Sequence, residues 1–306
     1  MTAVPIDRSR SIGGSDVSAV MGISPFRTPL DVWREKVLGE TDTIDTPATR
    51  AGSRFEPHIL AAYQSRLPEG SKLRRHDSVI VDGYRRCTVD AIAEVGGWER
   101  VVEAKSTVMV GEWGSEGTDE VPLHYVVQGT WYADILGLDQ IDFPALLWPR
   151  DMRDLLGLAP AEIVAACDMR VLTVAYSPSL AAMVREKVDA FWRDHVLAEV
   201  PPKPVDLEDC KRLARVSRGK TVPATEDLIR LLVERDAIKA EAKAVKERED
   251  ANTFAIRELL DDAEAGVAPN GDPLVTCKVV EKGAYTVKPQ RYRELRMTKH
   301  WKEIAR

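Results

Sequence analysis

Apolar positions recur with helical period at the start of the chain. In the run from Ile12 to Pro25, Val17, Val20 and Met21 fall three and four residues apart, Ser15 or Gly14 offers an N-cap, and Gly22 closes the segment. A second helix is predicted after Pro29, with Leu30, Val32, Trp33 and Val37 as its apolar stripe and Gly39 at its end. A third, over about 50–67, places Phe55, Ile59, Leu60 and Tyr63 on one side, with Glu56 among them. From Val79 the period shortens to that of strands. It predicts a meander of 79–81, a turn at Gly83, 84–94, a turn at Gly96–Gly97, and 99–107. A helix over 122–136 stopped by Gly137, strands over 141–148 and 171–176, and a helix over 180–197 follow.

Pro201–Pro–Lys–Pro then breaks the pattern. We expect a core domain over 1–200, a linker over 201–223, and a helical extension with a basic tail over 224–306. In that extension Leu228, Leu231, Ile238, Ala242, Val245, Ile256 and Leu259 alternate at three and four residues, interrupted by Arg235, Glu249 and Asn252. Those polar seam positions suit a strut or helical hairpin of about 40 residues better than a stable coiled coil. Two short strands, 274–280 and 285–287, and the run Arg291–Tyr–Arg–Glu–Leu–Arg complete the chain.

The composition, 44% hydrophobic and 30% charged over 306 residues, belongs to a folded globular protein and excludes disordered, collagen-like and membrane-spanning readings. With no apolar run of about 18 residues and no signal-peptide pattern, a cytoplasmic location is expected. The net charge of -6 argues against coating nucleic acid through bulk charge. Its distribution changes the picture: residues 274–306 carry nine Lys/Arg against three Glu, a basic patch on an acidic body. Cys87, Cys167, Cys210 and Cys277 form no C-x-x-C pair, so neither a zinc knuckle nor a disulfide framework is expected, only buried free thiols. The five histidines show no ligand spacing. Trp33, Trp131 and Trp192 sit at core spacing, and Asp16 reads as a first-turn helix acid.

Chemistry concentrates at Asp90 and Glu103–Ala–Lys105, predicted on neighbouring strands of one hairpin. Two carboxylates side by side make an all-oxygen site for a hard divalent cation such as Mg²⁺. Strand alternation puts Lys105 on the face of Glu103, where an ammonium orients or helps deprotonate a water, or offsets charge on a phosphate. These are the parts of metal-assisted phosphodiester hydrolysis. Spacing alone equally describes an exposed hairpin with cross-strand ion pairs. However, Val89, Ile92, Val101 and Val102 make the neighbourhood apolar, where unpaired carboxylates are costly and a metal would explain them.

Five ordered stretches then carry a resemblance: the run from Ile12 to Trp33, Gly52–Ser–Arg–Phe–Glu–Pro, Cys87–Thr–Val–Asp–Ala, Val102–Glu–Ala–Lys–Ser, and the run from Val121 to Tyr132. Together, over about residues 8–150, they resemble the YqaJ-type viral recombinase family, relatives of phage lambda exonuclease among the restriction-endonuclease-like, PD-(D/E)xK and RecB-like nucleases. The resemblance implies an α/β fold: a central mixed β-sheet flanked by helices, with the long helix and small basic β/tail segment appended. It implies that Asp90, Glu103, the Ala104 carbonyl and Glu56 hold one or two Mg²⁺ ions, replaceable by Mn²⁺, and that Lys105 is the catalytic lysine. Gln128 and Tyr132 match a Q-x3-Y motif, four residues apart and so on one helix face. Arg8, Ser15 and Thr88 would hold a DNA 5′-phosphate. Ser15 near a helix start also suits an anion on physical grounds. Thr–Val–Asp–Ala departs from the family's usual Thr/Ser–Pro–Asp–Gly, which puts the local strand geometry in question.

The implied activity is a Mg²⁺-dependent exonuclease resecting linear double-stranded DNA, 5′ to 3′, for phage-type recombination. Implied with it are a homo-oligomeric ring, a trimer, and a single-strand annealing partner in a bacterial host. Arg291, Arg293 and Arg296 either track a DNA backbone or merely solubilise the tail. The alternatives are a structure-specific endonuclease or other RecB-like nuclease on the same core, and an inactive DNA-binding or phage assembly module. An iron-sulfur version is set aside for want of clustered cysteines.

Overall fold

The computed structural model describes residues 10–40, 47–75, 79–148, 158–213 and 221–279. They fall into two compact units, Met1–Val205 and Asp206–Arg306.

The first unit is built on strand β7 (Gln140–Leu147), buried along almost its whole length. A strand so uniformly apolar belongs at the centre of a sheet covered on both faces. Along one edge it pairs in parallel with β5 (Trp98–Val102) and β6 (Lys105–Thr107), and along the other antiparallel with β8 (Asp168–Ala175). β4 (Ala91–Val95) adds antiparallel to β5, and β1 (Lys72–Arg75) antiparallel to β4, giving a mixed six-stranded sheet. β5 and β6 keep one register against β7, Val102 opposite Asp142 and Lys105 opposite Ala145, so they are halves of one strand interrupted at Glu103–Ala104. The Glu103 amide still donates to the Asp142 carbonyl at 3.0 Å.

Helices cover both faces. On one lie α3 (Pro47–Arg66) and α5 (Pro160–Ala166), whose Phe55, Ile59, Tyr63 and Ile163 pack with Ala91, Ala93, Val102 and Leu146. On the other lies α4 (Leu123–Leu136), with α1 (Gly14–Val20) and α6 (Pro178–Phe191) packed against it. Gly129 permits the close approach of α4: a Cβ there would stand 2.8 Å from the Phe143 ring and 2.9 Å from Ile141. α2 (Pro29–Trp33) is capped reciprocally, Thr28 accepting from the Asp31 amide and Asp31 from the Thr28 amide, and runs on through a wide turn, Arg34–Leu38. β2 (Ile80–Asp82) and β3 (Arg85–Cys87) form a separate hairpin, tied to the chain start by a bridge between Ile12 and Arg85.

The second unit contains α7 (Leu207–Arg212), the 35-residue α8 (Glu226–Leu260) capped by Thr225, and a hairpin of β9 (Ala265–Val267) and β10 (Pro273–Thr276). Among the described residues, no helix is long and apolar enough to cross a membrane.

Several expectations need correction. The strand over 84–94 is broken at Thr88–Asp90, and that over 99–107 at Glu103–Ala104, so Asp90 and Glu103 sit in backbone breaks rather than on strands. α1 is capped by Gly13, not Ser15 or Gly14, because the Asp16 carboxylate takes the Gly13 amide at 3.0 Å. Asp16 itself is buried rather than a surface acid. All four cysteines are free, but only Cys87 is buried; Cys210 and Cys277 are exposed. Trp33 and Trp131 are core residues, whereas Trp192 stacks on Tyr84 with ring centres 4.8 Å apart. The expected strand over 285–287 lies outside the described residues.

Candidate functional site

The two strand breaks face each other. Because Ala91 lies opposite Val102, Asp90 emerges beside Glu103 and Ala104, and the Ala104 amide, left free by the gap between β5 and β6, donates to Asp90 Oδ2 at 2.8 Å. Pleat alternation turns Glu103 and Lys105 toward α4. There Lys105 Nζ donates to Glu103 Oε2 at 2.9 Å and to Gln128 Oε1 at 3.3 Å, and Gln128 Nε2 donates to the same Glu103 oxygen at 3.1 Å. Tyr132, one turn along α4, accepts from Gln128 Nε2 at 3.4 Å and is also hydrogen-bonded to Thr88. The Tyr125 ring lies 4.8 Å from Lys105 Nζ and adds cation–π attraction.

Thr88, Asp90, Glu103, Ala104, Lys105, Gln128 and Tyr132 line a cavity of about 330 Å³ with Ser15, Glu56 and Arg86. Burial raises the Asp90 carboxyl above the usual range against the pull of Lys105. It pushes Glu103 up to about 8, with Lys105 opposing and Asp90 reinforcing. Burial acts against the Lys105 charge too, but Glu103 and Asp90 outweigh it and hold the ammonium well above its ordinary value. That direction favours the ammonium form of Lys105 over the free amine.

The residues pass a test for a divalent cation. Glu103 Oε1 is buried with no hydrogen-bond partner, while its sister oxygen takes both neighbouring donors. A buried acceptor left empty is expensive, and a hard cation suits it. Asp90, Glu103 and the Ala104 carbonyl are the groups that would hold one. Glu56 lines the same cavity, but its carboxylate pairs with Arg75 at 2.7 Å. Burial, and then Asp90, still raise its pKa, which marks it as electrostatically coupled to the site. Among the described residues, no three His, Cys, Asp or Glu side chains gather into a ready-made metal cluster.

The structure thus brings together Asp90, Glu103, Ala104, Lys105, Gln128 and Tyr132, with Ser15, Thr88 and Glu56 on the same cavity wall. Arg8, Arg291, Arg293 and Arg296 lie outside the described residues. Sequence reasoning missed Arg86 and Tyr125. Arg85–Arg86 on a short strand does carry a trace, since alternation must turn one of two consecutive arginines inward.

The profile of the YqaJ-like viral recombinase domain matches residues 6–139. The Bacillus subtilis (strain 168) protein YqaJ is 24% identical over 327 residues, covering 98% of this chain and 92% of its own. Among solved structures, the alkaline exonuclease LHK-Exo from Laribacter hongkongensis is 16% identical, covers 63% of this chain and 91% of its own, and superposes with a TM-score of 0.46. A phage-related exonuclease from Haemophilus somnus 129PT is 15% identical over 62% of this chain and 96% of its own, with a TM-score of 0.46. The stretch that resembles the YqaJ-like viral recombinase domain, residues 6–139, includes every hydrogen-bonded group of the acidic cavity.

Proposed function

We propose that this chain is a divalent-metal-dependent nuclease that resects linear double-stranded DNA from its ends, 5′ to 3′, to supply single strands for recombination. The observation that carries this reading is the unpartnered, buried Glu103 Oε1 beside Asp90 and the Lys105 ammonium. The similarity of residues 6–139 to the YqaJ-like viral recombinase domain supports it. Mg²⁺, or Mn²⁺ in its place, would supply Lewis acidity at the scissile phosphate and lower the pKa of a bound water. Asp90, Glu103 and the Ala104 carbonyl would hold it, with Glu56 free to join on releasing Arg75. Lys105 sets a permanent positive charge against the phosphate, and Gln128 keeps that amine aimed by bonding both it and Glu103. Tyr132 carries no negative charge at neutral pH, since burial and Glu103 raise its hydroxyl pKa, so it acts as a hydrogen-bonding wall.

In this reading Arg8, Ser15 and Thr88 take the terminal 5′-phosphate, while Arg291, Arg293 and Arg296 follow the backbone; the working form is a ring-shaped homo-oligomer, a trimer, with an annealing protein as partner. The test is a linear duplex labelled separately at its 5′ and 3′ ends, incubated beside closed circular plasmid. Release of the 5′ label alone, dependent on Mg²⁺ and abolished by EDTA, with circles intact, is expected. Nicked circles would instead favour an endonuclease on the same core, and digestion in EDTA would remove the metal from the mechanism.

A further inference from the structure

Arg86 is 4% exposed and lines the cavity, yet its only ion pair among the described residues is a distant one, 3.9 Å from Nη2 to Asp16 Oδ2. Its Nε has no hydrogen-bond partner. A guanidinium carries five N–H donors in a rigid fork, and burying it so poorly satisfied is costly unless something else completes it.

Its neighbours show why Asp16 does not. Asp16 Oδ1 takes Arg27 at 2.7 Å, and Oδ2 takes Lys36 at 2.9 Å and the Gly13 amide at 3.0 Å. Glu35 closes the ring, bonding Arg27 at 2.6 Å and Lys36 at 2.9 Å. Two carboxylates and two cations neutralise one another, so the charge of Arg86 is the surplus. The guanidinium is also held in place sterically. It lies against Gly13, where a Cβ would stand 2.5 Å from Nη2. Behind it, Trp131 Nε1 donates to the Arg86 carbonyl at 3.1 Å and fixes the backbone.

We propose that Arg86 is an anion-anchoring residue of this cavity, separate from the acidic pair, and that Asp16 and Gly13 position it to take one phosphate group in bidentate fashion. Arg, rather than Lys, suits a planar two-oxygen contact. That the phosphate belongs to the DNA substrate rests on the nuclease reading; the anion site itself rests on the unsatisfied guanidinium.

The test uses the full-length protein in EDTA, with inorganic phosphate as the probe and ³¹P line broadening and thermal shift as readouts. Wild type should bind phosphate. Arg86→Gln should weaken binding at least tenfold, and Arg86→Lys, which keeps the charge but not the fork, should recover only part of it. Gly13→Ala, which displaces the guanidinium without altering it, should also weaken binding. Should Arg86→Gln fail to fold, the Lys and Gly13 variants decide. In DNA cleavage assays the Arg86→Lys defect should appear in KM more than in kcat. Phosphate binding of wild-type strength in Arg86→Lys and Gly13→Ala would overturn the proposal. Wild-type protein that binds phosphate through Arg86 but cuts no duplex would sink the nuclease reading and leave the anion site standing. Cleavage by a protein whose phosphate affinity ignores residue 86 would do the reverse.

Discussion

At the scale of single residues, the site depends on how burial sets charge. Glu103 and Asp90 favour the charged form of Lys105, so Lys105→Ala removes both that charge and the only ammonium bonded to Glu103 among the described residues. Cleavage should fall by about 100-fold or more, while DNA binding in Ca²⁺, read by gel shift, should persist. Glu103 behaves in the opposite sense. Its carboxyl, at about 8 in the folded protein against 4.5 ordinarily, keeps a proton on folding that the unfolded chain has released. The metal-free protein should therefore hold this stabilising contribution in full below about 4.5 and lose it as pH rises toward 8. Urea unfolding of the EDTA-treated protein between pH 5 and pH 8.5 should show that decline. Glu103→Gln, neutral throughout, should flatten it, and Mg²⁺ should raise stability most at the alkaline end.

At the scale of elements, the ring formed by Asp16, Arg27, Glu35 and Lys36 joins α1 to the turn after α2. Burial opposes the charge of Asp16, but Lys36 and Arg27 more than compensate and hold its pKa below the ordinary value. Asp16→Asn would leave two cations short of a partner, and a loss of about 3–5 kcal/mol in urea unfolding is expected. Nothing in the sequence announced this network. Asp16 sits where helix acids commonly sit, and its partners are 11, 20 and 70 residues away. The helices themselves were legible because α1, α2, α3, α4 and α6 each carry an apolar stripe of helical period. β1 and α5 were not: Lys72–Leu–Arg–Arg has too few apolar positions to show a period, and α5 spans only seven residues. Asp90, Glu103 and Lys105 were legible from residue type and spacing, but the gaps that release the Ala104 amide were not, because alternation continues through them unchanged.

At the scale of the whole molecule, every residue of the hydrophobic cluster beneath α3 and α5, and every lining group of the acidic cavity, lies within the first unit. A chain ending at Val205 should therefore fold with a cooperative thermal transition and keep the near-UV signal of Trp33 and Trp131; a non-cooperative melt would show that the second unit completes the core. The second unit offers a different resource. α8 carries exposed Leu231, Ile238, Val245 and Leu259, and at 1.5 Å per residue its length is about 52 Å.

The shared register of β5 and β6 along β7 makes the position of Lys105 a matter of parity. Inserting one glycine after Ala104 would swing the amine through the sheet to the side where Tyr63 meets Asp142. Inserting two would bring it back to the α4 side, but about 7 Å too far along. The single alanine between glutamate and lysine is thus a measured tooth in a ratchet, and any change of count misplaces the amine however faithfully the side chains themselves are kept.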